Sequence, residues 1–164
     1  MKPKVAVPVE SEQAFSLSRP VVSMDVAGAR RLGSAYWEEV ERTTRRFVQA
    51  RPTRTGVDLR VLRRGPLLLR LGPPQLDVRV AFVSCSHSVL GGLLARSEGG
   101  VLLLAQERSD SWSLRTSIRG YLPRLGAPPG RPGWTGFLYA QLQARLHRAI
   151  GRRYAVRLMR EARR

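Results

Sequence analysis

The sequence predicts an α+β fold in which an antiparallel β-sheet of about six strands grips a long C-terminal helix, with a second long helix near the N-terminus. Apolar residues recur at helical spacing in residues 25–50 and 134–164, and they alternate with polar residues between 56 and 123. An antiparallel sheet with one apolar face needs a cover, so we expect the C-terminal helix to lie across it. Residues 1–24 are expected to form an N-terminal arm with a short edge strand at 4–9. All four segments are assigned to a single domain.

The first predicted helix spans residues 25–50. Asp25 suits its N-cap position, and Pro52 is expected to end it. Gly28 and Gly33 weaken the helix but allow another backbone or a ligand to come close. We favour close packing as their role. The apolar positions that share one face are Val26, Ala29, Leu32, Tyr36, Val40 and Phe47.

The central segment predicts short strands separated by turns at Gly65-Pro66 and at residues 72–74. One strand is expected to run unbroken over 75–82. The polar residues 84–88 are expected to interrupt the pattern as a bulge or bend. The last strand is predicted at residues 112–121, where one face carries Trp112, Leu114, Thr116 and Ile118.

The C-terminal helix follows a segment rich in proline and glycine and contains no proline from Gly136 onward. Its apolar stripe drifts around the helix after Ile150, so we expect the sheet to hold it firmly only to that residue and the final turns to project. The residues of the apolar side are Leu138, Leu142, Leu146, Ala149 and Ile150.

The composition is that of an ordinary globular domain, with 164 residues, 43% of them hydrophobic. No apolar run approaches the roughly 18 residues needed to span a bilayer. Pro8, Glu10 and Glu12 interrupt any signal-peptide core, so we expect a cytoplasmic protein. Cys85 is the single cysteine, which excludes an internal disulfide. No cofactor is predicted.

The formal net charge of +17 is the extreme value of this sequence. Lysine occurs only at positions 2 and 4, so 27 of the 29 basic residues are arginines, and they are scattered over nearly every segment. We interpret most of this charge as a codon-driven preference for arginine on solvated faces. The alternative is an accessory protein that binds nucleic acid, or an anionic surface, through Arg145, Arg148 and Arg152 on the last helix.

No catalytic motif is recognisable. Cys85 and His87 invite a thiol–imidazole nucleophile, but no third residue that would orient the imidazole and no oxyanion donor can be named. We expect Cys85 to be a small buried side chain instead. His87 and His147 are too far apart in sequence, and too poor in acidic neighbours, to predict a metal site. Whether the protein is an enzyme stays open, with a binding role favoured.

The order of elements, together with several glycine-containing segments, resembles the START-like helix-grip superfamily, which includes polyketide cyclase/dehydrase-like and birch-pollen-allergen-like proteins. The resemblance covers roughly residues 55–160, although the family usually has a first strand and two short helices where this chain predicts one long helix. The segments that carry it are Leu90-Gly91-Gly92-Leu93-Leu94-Ala95, Gly99-Gly100-Val101, Gly120-Tyr121-Leu122-Pro123-Arg124-Leu125, Leu146-His147-Arg148 and Arg153-Tyr154.

The resemblance implies a cavity between the sheet and the last helix that holds a small apolar or aromatic ligand. A cyclase or hydrolase of the same fold is the third reading, after the ligand-binding and nucleic-acid-binding ones. Aromatic side chains would either line such a cavity or fill it as core. The residues expected to line it are Tyr36, Phe82, His87, Trp112, Tyr139 and His147.

Overall fold

The computed structural model describes residues 9–95, 99–121 and 134–164, with the side chains of 10–95, 99–120 and 145–164. These ranges contain eight β-strands and two α-helices, which confirms the predicted α+β class and the order helix, antiparallel strands, long final helix. In chain order the elements are β1 (Val9–Leu17), α1 (Val26–Thr43), β2 (Val48–Thr53), β3 (Gly56–Val61), β4 (Leu67–Leu71), β5 (Gln75–Arg79), β6 (Phe82–Gly91), β7 (Gly100–Arg108), β8 (Trp112–Tyr121) and α2 (Trp134–Glu161).

All strand pairs are antiparallel, and the strand order is β1-β8-β7-β6-β4-β3-β2, with β5 also paired to β6. β4 and β5 therefore share one side of β6. Leu71 pairs with Val89, and Gln75 pairs with Ser86. The predicted turn at residues 72–74 connects β4 to β5, the two strands that pair with β6 on this side. In the part of the chain that the structure describes, the sheet has eight strands rather than about six, because β1 and β2 extend its two edges.

The N-terminal edge strand extends further along the chain than predicted. β1 lies at the edge of the sheet and pairs with β8 from Val9↔Tyr121 to Leu17↔Trp112. The predicted strand at residues 4–9 overlaps β1 only at Val9. Residues 4–8 lie outside the described residues. The sequence pattern missed β1 because glutamates and Gln13 put polar side chains on both of its faces.

The first helix ends earlier than predicted. α1 stops at Thr43, and residues 48–53 form β2 instead of continuing the helix to residue 50. Arg45 and Arg46 make the reversal with φ values of 51° and 63°, a conformation that glycine usually occupies. Because no glycine marks the end of the helix, the sequence pattern contained no stop signal there.

Side chains replace that missing signal. The hydroxyl of Thr44 donates to the carbonyl of Val40 at 2.8 Å and accepts from the backbone N–H of Val48 at 3.2 Å. The hydroxyl thus joins the last turn of α1 to the first residue of β2. Pro52, which was expected to end the helix, lies in β2 instead. β2 is an edge strand with a hydrogen-bonded neighbour on one side only, a position where the missing N–H of a proline is tolerated.

The predicted strand over 75–82 is two strands. β5 ends at Arg79, and Val80 and Ala81 form the turn into β6. The polar residues 84–88 lie inside β6, which pairs with β5 and β7 without a register shift, so the expected bulge or bend at that point is absent. β4 fills the interval between the two predicted turns, and β8 spans the predicted residues 112–121.

α1 packs directly on the middle of the sheet. Asp25 Oδ1 accepts from the backbone N–H of Gly28 at 2.8 Å, which confirms it as the N-cap. A Cβ atom at Gly33 would lie 3.0 Å from the Sγ of Cys85 in β6. Close packing is therefore the role of this glycine, as predicted. Ala29 and Leu32 on the same face are fully buried.

The last turns of α2 are buried, which corrects the expectation that they project. Tyr154 and Leu158 are 0% exposed, and the Tyr154 hydroxyl donates to the carbonyl of Leu32 in α1 at 3.1 Å. The drift of the apolar stripe turns these side chains toward α1 rather than toward solvent. This part of α2 thus packs against α1. In the described part of the chain, neither helix is long and apolar enough to cross a membrane.

Candidate functional site

A cavity of about 420 Å³ lies between α1, the sheet and α2. Its volume falls within the range of small-molecule binding sites, roughly 300–1,000 Å³. Most of its wall is aliphatic or aromatic. The lining residues are Tyr36, Trp37, Val40, Thr44, Phe47, Val48, Leu59, Val61, Leu68, Leu69, Leu71, Leu93, Leu94, Leu102, Ile118, Leu146, His147 and Ile150.

The sheet provides the largest part of the wall. Leu102 and Ile118 are cross-strand partners in β7 and β8, and Leu59 and Leu69 are partners in β3 and β4. Side chains of alternate residues in a strand share a face, so each pair presents two apolar groups side by side to the cavity.

His147 is the one imidazole among the described lining residues. It is half-buried on α2, and burial lowers the pKa of its ring. At neutral pH it therefore carries no charge and offers the cavity one polar group that either donates or accepts a hydrogen bond. Gln13 in β1 fixes this part of the helix, because its Nε2 donates to the backbone carbonyl of His147 at 3.1 Å.

Gly151, one turn of helix further on, explains how β1 comes so close to α2. A Cβ atom there would lie 2.6 Å from Nε2 of Gln13, so the glycine makes room for the amide that holds His147. Thr44 also lines the cavity, but its hydroxyl is hydrogen-bonded to the backbone of Val40 and Val48. His147 thus differs from Thr44 in having a side chain that is available to a ligand.

The aromatic residues of α1 form the opposite wall. Tyr36 meets Trp37 edge to face, with ring centroids 5.3 Å apart and an interplanar angle of 79°. Trp37 in turn meets His87 at 5.3 Å and 71°. Of these three, Tyr36 and Trp37 line the cavity and His87 lies behind them. Of the predicted site residues on this side, Tyr36 therefore lies in the wall, whereas His87 is a neighbour of the wall.

His87 and Cys85 are both neutral at physiological pH. His87 Nδ1 donates to the carbonyl of Gly72 at 2.8 Å, so its Nε2 faces Cys85 Sγ, 3.7 Å away, as an acceptor. Burial raises the pKa of the Cys85 thiol to about 11 and lowers the pKa of His87 despite the bond to Gly72. An active nucleophile needs the thiolate, and this environment opposes it. Cys85 is 1% exposed, the small buried thiol that the sequence predicted.

Two other candidates, Phe82 and Trp112, lie away from the cavity. Each lies near one end of its strand with an arginine over its ring. The guanidinium carbon of Arg79 is 5.7 Å from the centroid of the Phe82 ring, and that of Arg108 is 5.6 Å from the centroid of the Trp112 ring. Both were expected to line the cavity on residue type alone, which does not reveal position along a strand. The side chain of Tyr139 lies outside the described residues.

The lining residues that the prediction omitted are chiefly aliphatic. Period-two alternation marks Leu59 and Ile118 as inward-facing, and that signal was enough to find them. Nothing in the sequence distinguishes a residue that lines a cavity from one that fills a core. Trp37 was missed because it follows Tyr36 directly, and helical periodicity assigned only Tyr36 to the inner face.

The arginines of the nucleic-acid alternative are exposed. Arg145, Arg148 and Arg152 lie on α2 at spacings of three and four residues, which places them along one side of the helix. The hypothesis that they contact phosphates stays a prediction. Within the ranges that the structure describes, no group of three or more histidine, cysteine, aspartate or glutamate side chains is arranged to hold a metal ion.

Comparison with known proteins finds similarity only among solved structures. No family model and no curated protein matches the chain. The crystal structure of Ara h 8.0201 is similar over 92% of this chain and 99% of its own, with 11% identity and a TM-score of 0.45. The Mll3558 protein from Rhizobium loti is similar over 88% of this chain and 94% of its own, with 17% identity and a TM-score of 0.33. At such similarity the function has to be argued from the residues of this chain.

Proposed function

We propose that this protein binds a small, neutral, largely apolar or aromatic ligand in the cavity between α1, the sheet and α2. The observation that supports the proposal is the cavity itself, about 420 Å³ in volume and lined almost wholly by aliphatic and aromatic side chains. A close-packed core leaves few voids larger than a water molecule. A space of this size, kept open in a 164-residue domain, is the property expected of a binding site.

The wall determines the chemical class of the ligand. No described aspartate, glutamate, lysine or arginine side chain lines the cavity, so an ionised ligand would lose its hydration without gaining a counter-charge. The neutral imidazole of His147 offers one hydrogen bond, which suits a ligand with a single hydroxyl, carbonyl or amide group. The rings of Tyr36 and Trp37 favour an aromatic or alicyclic body.

An affinity follows from ligand size. A ligand of about 20 non-hydrogen atoms, at about −0.3 kcal/mol per atom, binds with about −6 kcal/mol, which is a Kd in the range of tens of micromolar. Binding is expected to be insensitive to salt, since no described charged side chain contacts the ligand. This behaviour separates the proposal from phosphate binding by the arginines of α2, which weakens steeply as salt rises.

The test is titration with a neutral, solvent-sensitive naphthylamine dye, followed by displacement with a panel of neutral and charged aromatic compounds. Leu59→Trp fills the cavity from β3 and is expected to abolish dye binding without unfolding the protein. Val101→Trp is the matched control, because Val101 is exposed on β7 and does not line the cavity. Equal binding by wild type and Leu59→Trp would contradict the proposal.

A further inference from the structure

The mouth of the cavity is apolar and exposed. Three lining residues, Phe47, Leu93 and Leu146, are 57%, 43% and 38% exposed, and they lie in three separate parts of the chain. Leu62 does not line the cavity, but its backbone is next to that of Phe47, since the Leu62 N–H donates to the Phe47 carbonyl at 2.8 Å. Leu62 is 53% exposed. Exposed apolar side chains are thus found both at the cavity mouth and on the neighbouring turn.

Arginines flank this apolar surface on both sides. Arg45 and Arg46 precede Phe47, and Arg63 and Arg64 follow Leu62; all four are exposed. Arg46 lies 4.0 Å from Glu41, whereas Arg45, Arg63 and Arg64 form no ion pair with any described residue. We call the six residues Arg45, Arg46, Phe47, Leu62, Arg63 and Arg64 the basic apolar patch.

The backbone of the basic apolar patch is strained. Arg45, Arg46 and Leu62 have φ values of 51°, 63° and 53°, and in the described ranges no other residue except glycine has a positive φ. In this left-handed conformation each of the three side chains costs conformational energy that glycine or asparagine would reduce. Backbone strain of this kind is concentrated at functional sites. The two turns are held by backbone hydrogen bonds, among them Phe47 N–H to Thr44 carbonyl at 2.9 Å and Val61 N–H to Pro66 carbonyl at 3.1 Å. Phe47 and Leu62 are therefore presented to solvent on fixed turns.

We propose that the basic apolar patch docks on the surface of an anionic phospholipid bilayer and brings the cavity mouth to the membrane. Exposed apolar side chains flanked by arginines suit the bilayer interface, where the apolar groups enter the acyl boundary and the guanidinium groups stay with the lipid phosphates. A duplex nucleic acid would satisfy the arginines but leave Phe47 and Leu62 unpaired. Docking there would let an apolar ligand pass between bilayer and cavity without crossing water.

The experiment measures partitioning of the full chain onto phosphatidylcholine vesicles with and without phosphatidylserine. Wild type is expected to bind the anionic vesicles and to be released by salt. Arg63→Gln with Arg64→Gln is expected to weaken partitioning about 30-fold, since each arginine near the surface contributes about a factor of five. Leu62→Asn is expected to weaken it about tenfold while relieving the positive φ, so loss of folding cannot explain the result.

Two matched controls isolate the patch. Arg152→Gln with Arg153→Gln removes the same charge from exposed positions on α2, and Val80→Asn removes an apolar side chain that is 100% exposed at the β5–β6 turn. Both are expected to partition nearly as wild type does. Equal loss in the controls, equal binding to uncharged vesicles, or binding of single-stranded RNA in place of vesicles would overturn the proposal. Dye binding by Leu62→Asn in vesicle-free solution distinguishes loss of membrane docking from loss of ligand binding. The variant is expected to bind the dye as wild type does, because Leu62 does not line the cavity.

Discussion

Replacement of Leu158 by alanine tests how α2 is anchored. Leu158 lies in the last turns of α2 and is 0% exposed. The substitution removes three buried carbon atoms, each contributing about 0.8 kcal/mol, and leaves a cavity that adds to the loss. We expect the free energy of unfolding to fall by about 3 kcal/mol. For a chain of this size that lowers Tm by about 6–12 °C.

Val156→Ala is the matched control for this experiment. Val156 lies two residues before Leu158 on the same helix but is 43% exposed, so its truncation is expected to cost less than about 0.5 kcal/mol. Both variants are measured by urea unfolding followed by circular dichroism. If Leu158→Ala and Val156→Ala have the same stability as wild type, the final turns of α2 project into solvent and the packing described above is wrong.

Three further outcomes follow from individual contacts. Tyr154→Phe removes the hydroxyl that donates to the Leu32 carbonyl at 3.1 Å and is expected to lower the free energy of unfolding by about 1 kcal/mol in urea titrations. Gly33→Ala places a Cβ atom 3.0 Å from Cys85 Sγ and is expected to lower the free energy of unfolding by about 1–2 kcal/mol. This loss should be smaller in a Cys85→Ala background. An equal loss in both backgrounds would exclude the contact with Cys85 as its cause. Burial lowers the pKa of His87, so the unfolded chain binds its proton more readily. The free energy of unfolding should therefore fall as pH drops below about 6.5, by at most about 1.4 kcal/mol per pH unit for this residue. Denaturant titrations between neutral pH and pH 5 measure this dependence. A free energy of unfolding that does not change over this range would count against a buried neutral ring.

The elements with strong periodicity were predictable. The alternation from Trp112 to Ile118 located β8, and the proline-free apolar run located α2. Both patterns arise because one face of an element is buried, and each reports that face directly. The end of α1 was not predictable in this way, since Arg45 and Arg46 adopt left-handed conformations that other contacts impose.

The candidate site was only partly predictable. Of the residues named from the sequence, Tyr36 and His147 line the cavity, whereas Phe82 and Trp112 do not. Periodicity assigns a residue to a face, but the position of a cavity depends on how far α1 covers that face. α1 covers the sheet at β6, where Gly33 allows close contact, and leaves β3, β4, β7 and β8 to line the open space. No local pattern in the sequence encodes that offset.

The most direct measurement of the central claim is an NMR titration with the neutral naphthylamine ligand, recording contacts between ligand protons and protein methyl groups. The cavity predicts intermolecular contacts to the methyl groups of Leu59, Leu102 and Ile118, with saturation at tens of micromolar ligand. Contacts confined to exposed methyl groups such as those of Val80 and Val101, or no saturable binding, would contradict the claim that this cavity binds a neutral apolar molecule.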